Sequence, residues 1–148
     1  MAGVFVIAEA GVNHNGCLKT AIKLIDAAKY AGASAVKFQC FKADTLATPF
    51  AEKAGYQKKT TGNQESQFDM LKRLELNFDS HLILDNYASG LGIMFLSSPF
   101  DFDSVSLLEK INMPIYKIPS GEIVNIPLLR KIGALNKKVI LSTGMSNL

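Results

Sequence analysis

Two lysines lie inside runs that otherwise read as apolar strands, Lys37 in Ala35-Val36-Lys37-Phe38 and Lys117 in Ile115-Tyr116-Lys117-Ile118. A buried ammonium without a partner costs several kcal/mol, so each must face an acid or a bound anion. Polar residues gather at the ends of this and similar runs: Glu9, Asn13, His14 and Asn15; Gln39; Ser97 and Ser98; Ser120 and Glu122; Ser142 and Thr143. Three arrangements are open. The lysines could form structural pairs, Lys37 with Glu9 and Lys117 with Glu122. They could instead join the hydroxyls of Ser98, Ser120 and Ser142 around one phosphate or carboxylate, since phosphate oxygens accept small hydroxyls and ammonium charges. Or one lysine could form a Schiff base, as in class I aldolases.

These residues need a scaffold that brings strand ends together. Apolar runs recur at Val4-Phe5-Val6-Ile7, Ala35 to Phe38, Ile93-Met94-Phe95-Leu96, Ile115 to Ile118 and Val139-Ile140-Leu141. None alternates cleanly with polar residues, which is the mark of strands buried on both faces of a parallel sheet. Helical stripes separate them. Leu18, Ala21, Ile22, Ile25 and Ala28 form one, closed by Gly32. Asp79 or Ser80 can cap a second, Asp101 or Asp103 a third, and Pro127 suits the first turn of a fourth. Strand and helix thus alternate, with about 20 to 25 residues between the last three strands, the short unit of a (β/α)8 barrel. The interval from Lys42 to Gln67 breaks that rhythm and reads as an elongated loop covering the site. The fold expected is therefore α/β of the TIM-barrel type, with only the first five units inside residues 1–148. An open doubly wound sheet is the competing reading.

Composition narrows the function. A formal net charge of +3, from 16 basic and 13 acidic residues spread along 148, is too mild for a nucleic-acid surface but suits an anionic substrate. No apolar run reaches the ~18 residues of a membrane span. Cys17 and Cys40 read as reduced thiols of a cytoplasmic protein, with Cys17 as a nucleophile the weaker alternative. The Gly11 to Gly16 segment lacks the dinucleotide-binding glycine pattern. His14 is a weak metal-ligand candidate and reads better as a polar loop contact. His81, far from any strand end, reads as a surface or partly buried packing residue.

Five segments carry a resemblance. Ile7-Ala8-Glu9-Ala10-Gly11-Val12-Asn13-His14-Asn15-Gly16, Val36-Lys37-Phe38-Gln39, Phe95-Leu96-Ser97-Ser98-Pro99-Phe100, Lys117-Ile118-Pro119-Ser120-Gly121-Glu122 and Leu141-Ser142-Thr143-Gly144-Met145 resemble the sialic acid synthase family, in its order and across nearly the whole chain. Tyr56 through Gln67, with Lys72-Arg73-Leu74-Glu75-Leu76, looks most like the bacterial legionaminic and N-acetylneuraminic acid synthases.

The resemblance implies condensation of phosphoenolpyruvate with an N-acylated hexosamine aldehyde, such as N-acetylmannosamine or 2,4-diacetamido-2,4,6-trideoxymannose, using a divalent metal (Mn2+ or Mg2+). It implies that Lys37, Ser98, Lys117, Ser120 and Ser142 hold phosphoenolpyruvate, that Gln39 and Glu122 face the sugar, and that Glu9 lies near the reacting centre. Glu9, Lys37, Lys117 and Glu122 are the candidate catalytic residues. The resemblance implies that the family's metal-binding histidines lie on later strands, beyond Leu148, and that its C-terminal antifreeze-like domain is not within residues 1–148. Residues 1–148 are therefore expected to hold no metal and not to turn over alone, while the full-length enzyme is expected to be a homodimer. A non-catalytic anion-binding module and a Schiff-base aldolase stand as alternatives.

Overall fold

Four times a helix is turned back into a strand by one residue in the left-handed region: Gly32, Gly92, Asn112 and Asn136, with φ of 78°, 66°, 53° and 53°. Glycine and asparagine are the residues that adopt this conformation at least cost, so the same αβ turn is built at each site. The computed structural model describes residues 3–48 and 66–147. In chain order it contains β1 (Ile7–Gly11), α1 (Leu18–Tyr30), β2 (Ala35–Cys40), α2 (Ala43–Leu46), α3 (Gln67–Leu74), α4 (Phe78–Gly90), β3 (Met94–Pro99), α5 (Phe102–Lys110), β4 (Ile115–Ile118), a 3-10 turn (Ser120–Glu122), α6 (Ile126–Gly133) and β5 (Lys138–Leu141).

The helix starts follow side-chain capping chemistry. Ser66 accepts from the Asp69 N–H, Asn77 from Ser80, Asp101 from Ser104 and Asn125 from Leu128, satisfying amides that the first helical turn leaves free. Asn77 thus caps α4, in place of the expected Asp79 or Ser80, because the helix begins two to three residues earlier. Pro127 sits in the first turn of α6 as expected.

All strand pairs are parallel. β1, β2 and β3 form one sheet in that order, β4 and β5 a second, and β4 packs beside β3. The strands thus follow chain order without the reversal that marks a doubly wound sheet. The strand limits differ from the sequence reading most at β1 and β3, while β2 runs on to Cys40 and β5 begins at Lys138. β1 starts at Ile7, leaving Val4, Phe5 and Val6 exposed before it, and β3 runs on through Ser97, Ser98 and Pro99.

The main core lies between the sheet and the helices. Val36 and Phe38 from β2, Phe95 from β3 and Tyr116 and Ile118 from β4 point to that side and pack on Ile25, Leu84, Leu108, Leu128 and Ile132. Phe38 stacks on Phe95 at 5.6 Å between ring centres. A smaller core, Phe41, Met70 and Leu74 with Val12, Leu71 and Phe100, sits over the strand ends and seats α3. The interval from Lys42 to Gln67 is not plain loop, since it opens with α2; α3 then takes up the apolar stripe of Phe68, Leu71 and Leu74 that follows it, and residues 49–65, with most of the Tyr56–Gln67 segment, lie outside the described residues.

Candidate active site at the strand ends

Strand alternation sorts the candidates into two faces. Glu9, Lys37, Gln39, Ser98 and Lys117 share the face turned away from the helices, since Glu9 is paired in register with Lys37 and Gln39 with Ser98, and Lys117 alternates with the helix-facing Tyr116 and Ile118. Ser97 falls on the other face with Phe38. It is fully buried there, its hydroxyl 3.5 Å from His81 Nε2, so it leaves the set of site candidates.

Lys37 is the centre of the first half of the site. Its side chain is only 10% exposed, and its ammonium lies 2.6 Å from Glu9 Oε2, whose side chain is 55% exposed. The pair expected as one alternative is therefore formed, but at the rim, where Glu9 keeps contact with solvent. A bulge at Gly11 shapes this corner: β1 skips a residue between Glu9 and Gly11, and Gly11 has φ of 53°. A Cβ on Gly11 would stand 3.1 Å from Glu9 Oε1 and 3.8 Å from Gln39 Nε2, so the glutamate and the glutamine side chains border the same small space. Ser98 is buried beside Gln39, and its hydroxyl has no hydrogen-bond partner among the described residues. Such an unsatisfied hydroxyl is stabilised by a ligand oxygen.

Lys117 is the centre of the second half. The expected pair with Glu122 is not formed: the Lys117 ammonium donates to the Ile118 carbonyl at 3.1 Å, and Glu122 accepts from the Asn125 amide at 2.7 Å. The 3-10 turn at Ser120–Glu122 brings the carboxylate to the start of α6, where Asn125 engages it. Among the described residues Lys117 has no ion-pair partner. Partial burial lowers its pKa and the nearby Lys37 ammonium lowers it further, with Glu9 opposing, so the two lysines and Glu9 share one field. Ser142 N–H donates to the same Ile118 carbonyl at 3.1 Å, and a Cβ on Gly144 would stand 3.7 Å from Ser120 Oγ. The turns after β4 and β5 therefore meet. They line an open cleft of about 530 Å3 that includes Ser120, Gly121, Val124, Gly144 and Met145.

Both histidines are buried, and His14 Nε2 has no hydrogen-bond partner among the described residues. His14 is buried against Phe38, its Nδ1 accepting the Gly16 N–H at 2.9 Å. It packs under the first loop, and burial lowers its pKa. His81, expected near the surface, is fully buried edge-on to Phe95 at 6.3 Å, because α4 turns it inward onto β3. Among the described residues no three histidine, cysteine or acidic side chains cluster closely enough to hold a metal ion by themselves.

Sequence reasoning missed the residues that hold the end of β2. Lys42 N–H donates to Asp101 Oδ2 at 2.7 Å, and Glu75 accepts from the Lys42 ammonium at 2.8 Å and from the Ala43 N–H at 3.1 Å. The signal was a lysine two residues after a strand, an acid at a helix start (Asp101) and another just past a helix end (Glu75), which many solvated loops share.

The NeuB family model matches residues 24–148. N,N'-diacetyllegionaminic acid synthase of Campylobacter jejuni is 55% identical over 148 residues, covering 100% of this chain and 44% of the relative. The enzyme of the same name from Legionella pneumophila is 49% identical over 144 residues, covering 97% of this chain and 40% of its own length. The crystal structure of N-acetylneuraminic acid synthetase from Leptospira borgpetersenii, in complex with citrate, superposes with a TM-score of 0.81 at 32% identity, over 99% of this chain and 46% of that one. The chain thus spans less than half the length of these relatives. With an α/β fold matching sialic acid synthase structures and the family model covering most of its length, the chain belongs to the NeuB family.

Proposed function

We propose that this chain supplies the first five units of a (β/α)8 barrel, and that the whole protein is a cytoplasmic synthase condensing phosphoenolpyruvate with an N-acylated hexosamine aldehyde. Carbon 3 of phosphoenolpyruvate bonds to the aldehyde carbon, water adds at carbon 2, and inorganic phosphate leaves, giving a nonulosonic acid. The observation that carries this reading is Lys117: a partly buried ammonium without an ion-pair partner among the described residues, in the field of Lys37 and donating to the same Ile118 carbonyl as the Ser142 N–H. Two ammonium groups in one field are held against their repulsion, and a bound anion relieves it. In this reading Lys37, Lys117 and the hydroxyls of Ser98, Ser120 and Ser142 bind phosphoenolpyruvate.

Glu9, solvent-accessible yet paired with Lys37, stands where it can hold or move a proton at the reacting centre, and Gln39 beside it faces the sugar. Glu122 is assigned to the sugar side more distantly, because its carboxylate is engaged by Asn125. The similarity to N,N'-diacetyllegionaminic acid synthases favours 2,4-diacetamido-2,4,6-trideoxymannose over N-acetylmannosamine as acceptor. A divalent ion, Mn2+ or Mg2+, belongs to the proposal for the whole protein, as does a homodimer. Residues 1–148 alone are proposed to be inactive.

The test is phosphate release by the whole protein from phosphoenolpyruvate and each amino sugar, with Mn2+ supplied. Lys117→Ala should lower kcat/KM for phosphoenolpyruvate roughly 10–100-fold, the worth of about 1.5–3 kcal/mol for a hydrogen bond to a charged group. Unchanged kinetics in that variant would refute the assignment. The lowered Lys117 pKa also favours a second reading, an imine-forming lysine. Borohydride with pyruvate would leave a stable secondary amine on Lys117 under that reading and none under condensation.

A further inference from the structure

Helix α3 touches the chain that follows each of the first three strands. Its residues Met70 and Leu74 pack on Phe41 after β2, with Val12 from the turn after β1 and Phe100 after β3 completing the cluster. Phe41 and Phe100 meet edge-on at 6.4 Å. Gly16, in the first of those turns, runs so close to α3 that an added Cβ would stand 2.1 Å from the Arg73 carbonyl oxygen.

The polar contacts of this assembly converge on two residues. Lys42 and Ala43 begin the segment after β2, and three of their donors are taken by two carboxylates: Asp101 accepts the Lys42 N–H, Glu75 the Ala43 N–H and the Lys42 ammonium. Asp101 is itself fixed as the cap of α5, with Ser104 N–H at 2.7 Å. Glu75, directly after α3, has a side chain only 12% exposed and receives Lys72 at 3.5 Å as well. A carboxylate this enclosed, with both oxygens engaged by donors of one dipeptide, fixes a backbone rather than decorating a surface.

That backbone is three residues from Gln39, whose amide borders the same space as Glu9. We propose that Glu75 is a positioning residue: through Lys42 and Ala43 it fixes the C-terminal end of β2, and so the placement of Gln39 against the amino sugar. This rests on the condensation reading and adds the residue that sets its acceptor side. The phosphoenolpyruvate side is built instead on Lys37 and Ser98, held inside the β2–β3 ladder, and on Lys117 with the turns after β4 and β5; the bonds of Glu75 go to Lys42, Ala43 and Lys72 and to none of these.

The experiment uses the whole protein and compares Glu75→Ala, Glu75→Gln and Lys72→Ala. Glu75→Ala should raise KM for the amino sugar about 5–20-fold while KM for phosphoenolpyruvate stays within about twofold, since the two charge-assisted hydrogen bonds to Lys42 and Ala43 are lost on one side only and reach Gln39 indirectly, through the backbone. Glu75→Gln keeps an acceptor for the Ala43 N–H and should recover part of the loss; Lys72→Ala should match the parent. If Glu75→Ala does not fold, Glu75→Gln carries the test with a smaller shift in the same direction. Equal change in both KM values, or no change in either, overturns the proposal. Absence of turnover in the parent protein would refute the condensation reading instead. Glu75 is then judged by the Gln39 side-chain amide resonance, which shifts in Glu75→Ala if Glu75 positions it and stays fixed if not.

Discussion

Gly16 and Gly32 make a matched pair for testing how the first strand-end turn is held. Both have left-handed backbones, with φ of 75° and 78°, so replacing either by alanine incurs the same conformational strain, about 1–2 kcal/mol. Their surroundings differ. Nothing lies within 4 Å of a Cβ on Gly32, whereas a Cβ on Gly16 would stand 2.1 Å from the Arg73 carbonyl oxygen and 3.3 Å from its carbon. Backbone cannot swing aside as a side chain does, so the turn or α3 must move by more than an ångström. Overpacking of this kind adds about 1–3 kcal/mol.

Gly32→Ala should therefore cost about 1–2 kcal/mol and Gly16→Ala about 2–5 kcal/mol. For a domain of this size each kcal/mol lowers Tm by about 2–4 °C. Thermal unfolding followed by circular dichroism would separate them. Gly16→Ala should also weaken acceptor binding, because the clash unseats α3 from the turn that follows Glu9. Equal Tm losses for the two variants would refute the close approach, and with it the view that α3 clamps the turn after β1.

The thiols and the buried histidines give two further tests. Cys17 is exposed at the start of α1, where hydrogen bonds from the Thr20 hydroxyl and the Thr20 and Lys19 amides lower its pKa, whereas burial pushes the Cys40 thiol up to about 12. An aromatic disulfide reagent at pH 8 should label Cys17 rapidly and Cys40 only after unfolding, as read by peptide mass spectrometry; early labelling of Cys40 would contradict its packing. Desolvation lowers the pKa of His81, against a raising contribution from the Asn77 carbonyl, and desolvation lowers that of His14. The unfolded chain then takes up protons first, so stability is full above about pH 6.5 and falls below it, by at most ~1.4 kcal/mol per pH unit per histidine. Urea midpoints should drop from pH 7 to pH 5, and less steeply in His81→Leu; a rise on acidification would refute the burial of neutral imidazoles.

Much of the scaffold is legible from local chemistry. A helix ending in Gly32 or Gly92 and a strand of two buried faces follow from backbone freedom and hydrophobic period, which depend on neighbours in sequence. The chain by itself also marks Lys37 and Lys117 as needing counter-charges, because an ammonium in an apolar run is expensive in any fold. It does not say which acid answers which lysine. Glu9 meets Lys37 because the two strands are paired in register, and Glu122 misses Lys117 because a 3-10 turn carries it toward α6. Ser97 and Ser98 are adjacent and alike in sequence, yet the register sends one to His81 and the other toward Gln39. The clasp on Lys42 joins residues 59 and 33 positions apart, and His81 is buried only because α4 lies across β3. These are decided by tertiary structure, since their energies come from contacts between distant segments whose meeting no local propensity encodes.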